Sequence, residues 1–245
     1  MNGTWSEAKV AGKSVEIYQP DGARPRFGLL FLHSQTLKTL RDKPAFTSVF
    51  DRLHLGCICP HAGRSWWVDR ICPEFDSKLT AEQHLLANVA PLFQSRWNLA
   101  PRSVGVFGIG MGGQGALRLA FKHPQLFPVA AGISSAFDFY EIFGEGTPLD
   151  EMYDSKEQCR QDTAILHVHP SNYPPHLFFC VDPDDDLWYR GNDRLHEKLT
   201  ALGIVHTVDF TTQAGGHSWQ YFDHMAERTL QFLHDGLDQE SRRLL

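Results

Sequence analysis

The chain has 245 residues, 42% of them hydrophobic, which is enough for one large domain with a substantial core. Its formal net charge is −6 at a pI near 6.1, and no run of Lys or Arg exceeds a pair, which argues against nucleic acid and anionic membrane surfaces as partners. The first ten residues are polar and no stretch approaches the ~18 apolar residues of a membrane span, so the composition predicts a soluble, cytoplasmic protein.

Residues 5–10 and 14–18 alternate in polarity around Ala11-Gly12-Lys13, the pattern of an antiparallel hairpin at a sheet edge. Phe27-Gly28-Leu29-Leu30-Phe31-Leu32 then runs apolar without alternation, as expected of a strand covered on both faces, and ends at His33-Ser34-Gln35-Thr36. Residues 46–53 can form a short helix with Phe46, Val49 and Phe50 on one side, and residues 56–60 make the next buried strand. The loop after it carries Ser65-Trp66-Trp67; adjacent loop tryptophans either line a pocket or cover the core, and both readings stand at this level. Residues 80–97 form an amphipathic helix with Leu85, Val89, Leu92, Phe93 and Trp97 in a stripe, Thr80 as cap, Gln83 three residues on, and Pro91 placed to kink it.

The most informative stretch is residues 104–122, VGVFGIGMGGQGALRLAFK, which reads as strand, sharp turn and helix in succession. That is the context of a nucleophile elbow, G-x-S-x-G, but glycine, Gly110, occupies the serine position. Glycine tolerates the strained backbone of such a turn, so the fold should not suffer. Gly108, Gly110 and Gly113 also satisfy the G-x-G-x-x-G spacing of a dinucleotide loop. Such a loop belongs on the first strand of its unit, whereas roughly a hundred residues precede this one.

Beyond the elbow, residues 127–133 read as a strand, 134–175 as an insertion over the sheet, 176–181 as a strand, 191–202 as a helix stopped by Gly203, 205–210 as a strand, and 219–237 as a closing amphipathic helix. Strands alternating with helices imply an α/β fold: a mostly parallel sheet with helices on both faces and an antiparallel N-terminal hairpin, one domain over 1–245. The five cysteines show no CxxC and no Cys/His ligand spacing, so reduced thiols are expected. His167-Val168-His169 could set two imidazoles on one face of a strand, but no third ligand accompanies them. Asp182, Asp184 and Asp186 open like a calcium loop without its sixth-position glycine or twelfth-position glutamate. No metal and no cofactor is expected.

Two further groups fit the chain order of a nucleophile, acid and histidine triad. After the 176–181 strand comes Asp182-Pro183-Asp184-Asp185-Asp186, and after the 205–210 strand comes Gly215-Gly216-His217-Ser218-Trp219. Asp186, immediately before Leu187-Trp188, is the expected acid partner of His217, with Asp185 as the fallback.

These motifs together resemble an α/β-hydrolase of the esterase group that includes esterase D, S-formylglutathione hydrolase and related acyl or feruloyl esterases. The residues that carry the resemblance are Leu32-His33, Pro60 with Gly63, Ser65-Trp66-Trp67, Met111-Gly112-Gly113-Gln114-Gly115-Ala116 after the elbow, Asp186, and Gly215-Gly216-His217-Ser218-Trp219. The resemblance implies the α/β-hydrolase fold, an oxyanion hole from Met111 N–H and the backbone at Gln35, and substrate contacts at His33, Ser34, Trp66, Trp67 and Trp219. The chain departs from the family at His33-Ser34, where the family has His-Gly, and at Gly110.

The expected function is that of an esterase-like hydrolase that keeps the Asp/His pair and oxyanion scaffold but lacks the elbow serine, and so is inactive or very weak as a serine esterase. The alternative is a non-catalytic pocket protein for an ester, acid or sugar-like ligand or a protein partner. A small-molecule ester or acid is the expected ligand, with no nucleic acid or membrane, and a homo-oligomer is left open. Ser34, Ser65 and Ser218 come into view as displaced nucleophiles, but none stands on the elbow.

Overall fold

The computed structural model describes residues 3–22 and 24–243. β1 (Thr4–Val10) and β2 (Lys13–Gln19) pair antiparallel across Ala11-Gly12, whose φ of 48° and 80° supply the left-handed turn that matches strand twist. β3 (Phe27–Leu32), β4 (Leu55–Pro60), β5 (Val104–Ile109), β6 (Val129–Ile133), β7 (His176–Cys180) and β8 (Thr207–Asp209) complete an eight-stranded sheet of order β1-β2-β4-β3-β5-β6-β7-β8. β2 meets β4 antiparallel, and every pair from β4 to β8 is parallel.

The helices in chain order are α1 (Pro44–Leu53), α2 (Ala81–His84), α3 (Ala90–Trp97), α4 (Met111–Lys122), three short ones, α5 (Phe139–Ile142), α6 (Leu149–Met152) and α7 (Lys156–Gln161), then α8 (Tyr189–Ala201) and α9 (Trp219–Arg242). Alternation along the strands divides the core in two. Leu30, Leu32, Val104 and Val106 face α2, α3, α4 and α8, whereas Leu29, Phe31, Phe107 and Ile109 face α1 and α9. The unalternating apolar runs read from the sequence are therefore strands buried on both sides. None of the helices among the described residues is long and apolar enough to cross a membrane.

Where the sequence suggests a kink at Pro91, the structure has a π-helical turn just before it, Leu85–Val89, between α2 and α3, closed by Ala90 N–H on the Leu85 carbonyl. The wider turn accommodates a ring that cannot donate and that crowds the preceding turn. Thr80 Oγ1 accepts from Gln83 N–H at 3.1 Å as expected, but the Gln83 side chain donates to Asp69 at 3.1 Å rather than closing a capping box.

Elsewhere the boundaries shift. β8 is only three residues long at the sheet edge. α9 runs on to Arg242 because Glu240 is buried, bonded to His176 and Arg243, and Asp238 holds Arg26 and Arg242. The segment 134–175 carries α5, α6, α7 and a 3-10 turn (Ala164–His167) against α4. Its anchor is Arg118 of α4, fully buried and paired with Glu82 of α2 and Asp162 after α7. His167 is not on a strand: it ends the 3-10 turn with Nε2 on Asp162 Oδ1 at 3.0 Å, while His169 Nδ1 accepts from Ser171 N–H, so the two imidazoles are engaged separately.

Candidate active site

β5 ends at Ile109 and α4 begins at Met111, so one residue makes the whole turn between them. That residue, Gly110, has φ 56° and ψ −116°, outside the region that side-chain-bearing residues prefer. Its N–H donates to Ile133 O at 3.0 Å, and its carbonyl accepts from Ala136 and Gln114 N–H, so β6 and α4 enforce the conformation. Gly112 serves a different purpose. A Cβ there would lie 1.8 Å from Leu32 O, so its absence lets the first turn of α4 rest on the end of β3. The glycine-rich motif thus brings the amino terminus of α4 against the His33 loop.

A Cβ at Gly110 would meet no clash: it would lie 3.5 Å from Ser34 Cβ, 3.6 Å from His217 Cε1 and 3.9 Å from His217 Nε2. The imidazole edge of His217 and the side chain of Ser34 therefore face the point from which an elbow side chain would project.

His217 sits at the foot of α9, where Ser218 Oγ caps the helix by accepting from Tyr221 N–H at 3.4 Å. The His217 side chain is 27% exposed, and its Nδ1 lies 3.2 Å from Asp185 Oδ2. Asp185 is fully buried, and its other oxygen accepts from Leu187 and Trp188 N–H, both at 3.1 Å. The acid facing the imidazole is thus Asp185; the expectation of Asp186 is corrected. Asp185 N–H closes a turn onto Asp182 O, which points the Asp185 carboxylate inward, and the next side chain, Asp186, is turned to solvent.

Asp182 ties the two loops together. Its carboxylate accepts from Asp184 N–H within its own loop and from Ala214 and Gly216 N–H in the histidine loop, at 2.8, 2.6 and 3.0 Å. Burial alone would raise its pKa, but these backbone donors hold the carboxyl below its ordinary value. Trp188 and Phe222 stand edge-on to the His217 ring, with centroids 6.1 and 5.1 Å away, and limit its rotation. Neither carries a local sequence signature, since each reaches His217 only through the fold; the one hint is that Trp188 closes the acidic loop.

On the other side, His33 is buried and does not line a surface. Ala62 N–H donates to its Nε2 at 3.2 Å, so the proton is on Nδ1, which donates to Ser34 O at 2.9 Å. Burial depresses its pKa to about 4 and keeps the ring neutral. Trp67 Nε1 donates to His33 O at 3.1 Å, and Leu37 N–H closes a turn on Ser34 O. The amide groups of Gln35 and Met111 carry no hydrogen bond among the described residues, and the seating of α4 on β3 makes their segments neighbours.

Trp66 and Trp67 are 0% and 1% exposed, which corrects the expectation of substrate contact. Both have positive φ, 54° and 57°, which turns the rings into the core: Trp66 against Phe139, Trp67 against His33 and beneath Gly115. Gln114, also fully buried, donates to Trp66 O and accepts from Ala164 N–H, joining this loop to the insertion. Trp219 is half-buried, with Lys43 Nζ 3.6 Å above its ring. No group of three or more His, Cys, Asp or Glu able to hold a metal ion occurs among the described residues. An apolar cavity of about 230 Å³, lined by Leu86, Phe93, Leu99, Val104 and Phe127, lies at the amino end of β5, a strand's length from the elbow.

A model of the family described as "Putative esterase" matches residues 58–232. Among solved structures, the chain is similar to an S-formylglutathione hydrolase from Agrobacterium tumefaciens (TM-score 0.78, 15% identity, 96% of this chain and 94% of that one). It is also similar to the fluorophosphonate-binding serine hydrolase FphF of Staphylococcus aureus (TM-score 0.75, 16% identity, 96% and 99%) and to a ferulic acid esterase (TM-score 0.74, 14% identity, 96% and 100%). No curated protein matches the sequence. At these identities the structural likeness speaks for the α/β-hydrolase fold.

Proposed function

The chain belongs to this esterase family, and from that premise we propose that it binds a carboxylic ester in the cleft between His217 and the His33 loop, with no attack on the ester from position 110. The observation that carries the reading is the junction at Gly110: a base held by a buried acid faces the elbow, and the elbow offers no side chain. In such a cleft Asp185 keeps the His217 proton on Nδ1 and stabilises the ring when Nε2 takes up a second proton. The Gln35 and Met111 amides are the donors for the oxyanion of a tetrahedral intermediate. With binding, base and oxyanion donors but no elbow nucleophile, hydrolysis is weak and no acyl-enzyme forms at 110.

The test is turnover of a short p-nitrophenyl ester series by the protein beside its Gly110→Ser variant. A cleft that lacks only the serine gains at least about 10²-fold on restoring it, the scale on which a missing triad member is felt. The added Cβ has room but occupies strained φ/ψ, so the same variant should lose roughly 1–3 kcal/mol of stability. Equal rates in the two proteins would overturn the reading. A second reading, a non-catalytic holder of an ester, acid or sugar-like ligand or a protein partner, draws on the closed floor, where Gly110 and Met111 are buried and Ser34 is 8% exposed. It takes over if neither protein reacts.

A further inference from the structure

We propose that the hydroxyl missing from the elbow is replaced from across the cleft, and that Ser34 is the nucleophile of this chain. The inference rests on the reading of the cleft as an ester-binding site. Its ground is a juxtaposition: the elbow carries glycine at 110, and a serine stands at 34, just past the end of β3. The fold brings the two positions together, since Ser34 Cβ is 3.5 Å from the point where an elbow Cβ would be. His217 Nε2 lies 3.9 Å from the same point, so rotation about the Ser34 Cα–Cβ bond is the movement that would carry Oγ towards the imidazole.

The remaining serines near the cleft are otherwise committed. Ser65, Ser134 and Ser135 are fully buried, and Ser218 Oγ caps α9. Ser34 retains 8% exposure and has a held backbone, its carbonyl taking bonds from His33 Nδ1 and Leu37 N–H. Its Oγ rests on Thr36, 2.9 Å from Oγ1 and 3.3 Å from the amide nitrogen, and these bonds must be given up before it can turn. That resting arrangement accounts for weak rather than ordinary turnover.

In the reaction, Ser34 Oγ passes its proton to His217 Nε2 and forms a bond to the ester carbonyl carbon, whose oxygen becomes the oxyanion on the Gln35 and Met111 amides. Collapse breaks the bond to the alkoxide, which leaves with the His217 proton as the alcohol. A water, deprotonated by the same nitrogen, then attacks the acyl-Ser34 ester, releasing the acid and returning the proton to Oγ.

The experiment is incubation of the full chain with diisopropyl fluorophosphate, which loses fluoride as it phosphorylates an activated serine, followed by peptide mass mapping. The expected adduct is on Ser34, and it is lost in Ser34→Ala and in His217→Gln, with circular dichroism establishing that both variants are folded. An adduct on any other serine overturns the proposal. So does an unlabelled natural chain when Gly110→Ser is labelled at position 110, a result that leaves the ester-cleft reading standing. Absence of label from both proteins removes the proposal and that reading together. The exchange variant Ser34→Gly/Gly110→Ser should shift the adduct from 34 to 110.

Discussion

Asp185 and Asp186 differ only in which way a turn faces them, yet one is fully buried against His217 and the other lies in solvent. On the Gly110→Ser background, Asp185→Asn should lower kcat by on the order of 10⁴-fold, because an amide can present the wrong hydrogen-bonding atom to Nδ1 and hold the unproductive tautomer. Asp186→Asn should leave kcat within about twofold, since a solvated carboxylate has little leverage on a buried pair. Steady-state kinetics on the two variants decide it, and the reverse order would return the acid to Asp186. The ambiguity in sequence is physical: four aspartates in five residues all satisfy the composition of an acid loop, and only the turn closed by Asp185 N–H on Asp182 O selects one. Trp66 and Trp67 teach the same lesson, for positive φ at two consecutive tryptophans has no compositional signature and turns both rings from the surface into the core.

Among the elements, α4 organises the site. Its amino terminus rests on β3 through Gly112, Gln114 reaches the Trp66 loop and the insertion, and Arg118 follows one turn further on. Arg118 is 2% exposed and paired with Glu82 and Asp162, so removing the cation strands two carboxylates. Arg118→Met should therefore cost on the order of 3–5 kcal/mol. The loss is to be read as a shift in urea midpoint, and a shift below about 1 kcal/mol would show that solvent and Lys122 already satisfy the carboxylates. The strand–turn–helix around Gly110 could be read directly, because periodicity and glycine placement are local signals. The segment 134–175 could not, since α5, α6 and α7 are only four to six residues long, too short to form by their own propensity, and the segment is held to α4 through the 3-10 turn and Asp162.

At the scale of the whole molecule, two buried groups contribute to the loss of stability in acid. The His33 pKa falls from 6.5 in the unfolded chain to about 4 in the fold, because burial disfavours the charged ring and His61 opposes a second positive charge nearby. The unfolded chain binds the proton more readily, so this contribution is whole above pH 6.5 and is lost as pH falls towards 4, about 3 kcal/mol in all. Burial alone would raise Glu82, but His123, Arg118 and Lys122 bring it down to about 2, so its contribution is present above pH 4.5 and fades towards pH 2. Urea midpoints between pH 8 and 3 should thus be level at first and decline from pH 6.5. His33→Asn, which can still donate to Ser34 O, should flatten the upper part of the decline; an unchanged profile would place the proton elsewhere.

The fold class, the strand–elbow–helix unit, the Thr80 cap, the hairpin and the location of His217 on a loop before the last helix all follow from short-range pattern, where each residue's neighbours in the chain carry the information. The choice of Asp185, the burial of His33 and the tryptophans, and the approach of Ser34 to Gly110 do not. They depend on loops from the ends of β3, β4, β5, β7 and β8 converging at one edge of a parallel sheet, residues 34, 110, 185 and 217 apart in the chain and together in space. A one-dimensional pattern can state which side chains are available; which of them face one another is settled by the packing of the sheet and by the turns that close its carboxyl end.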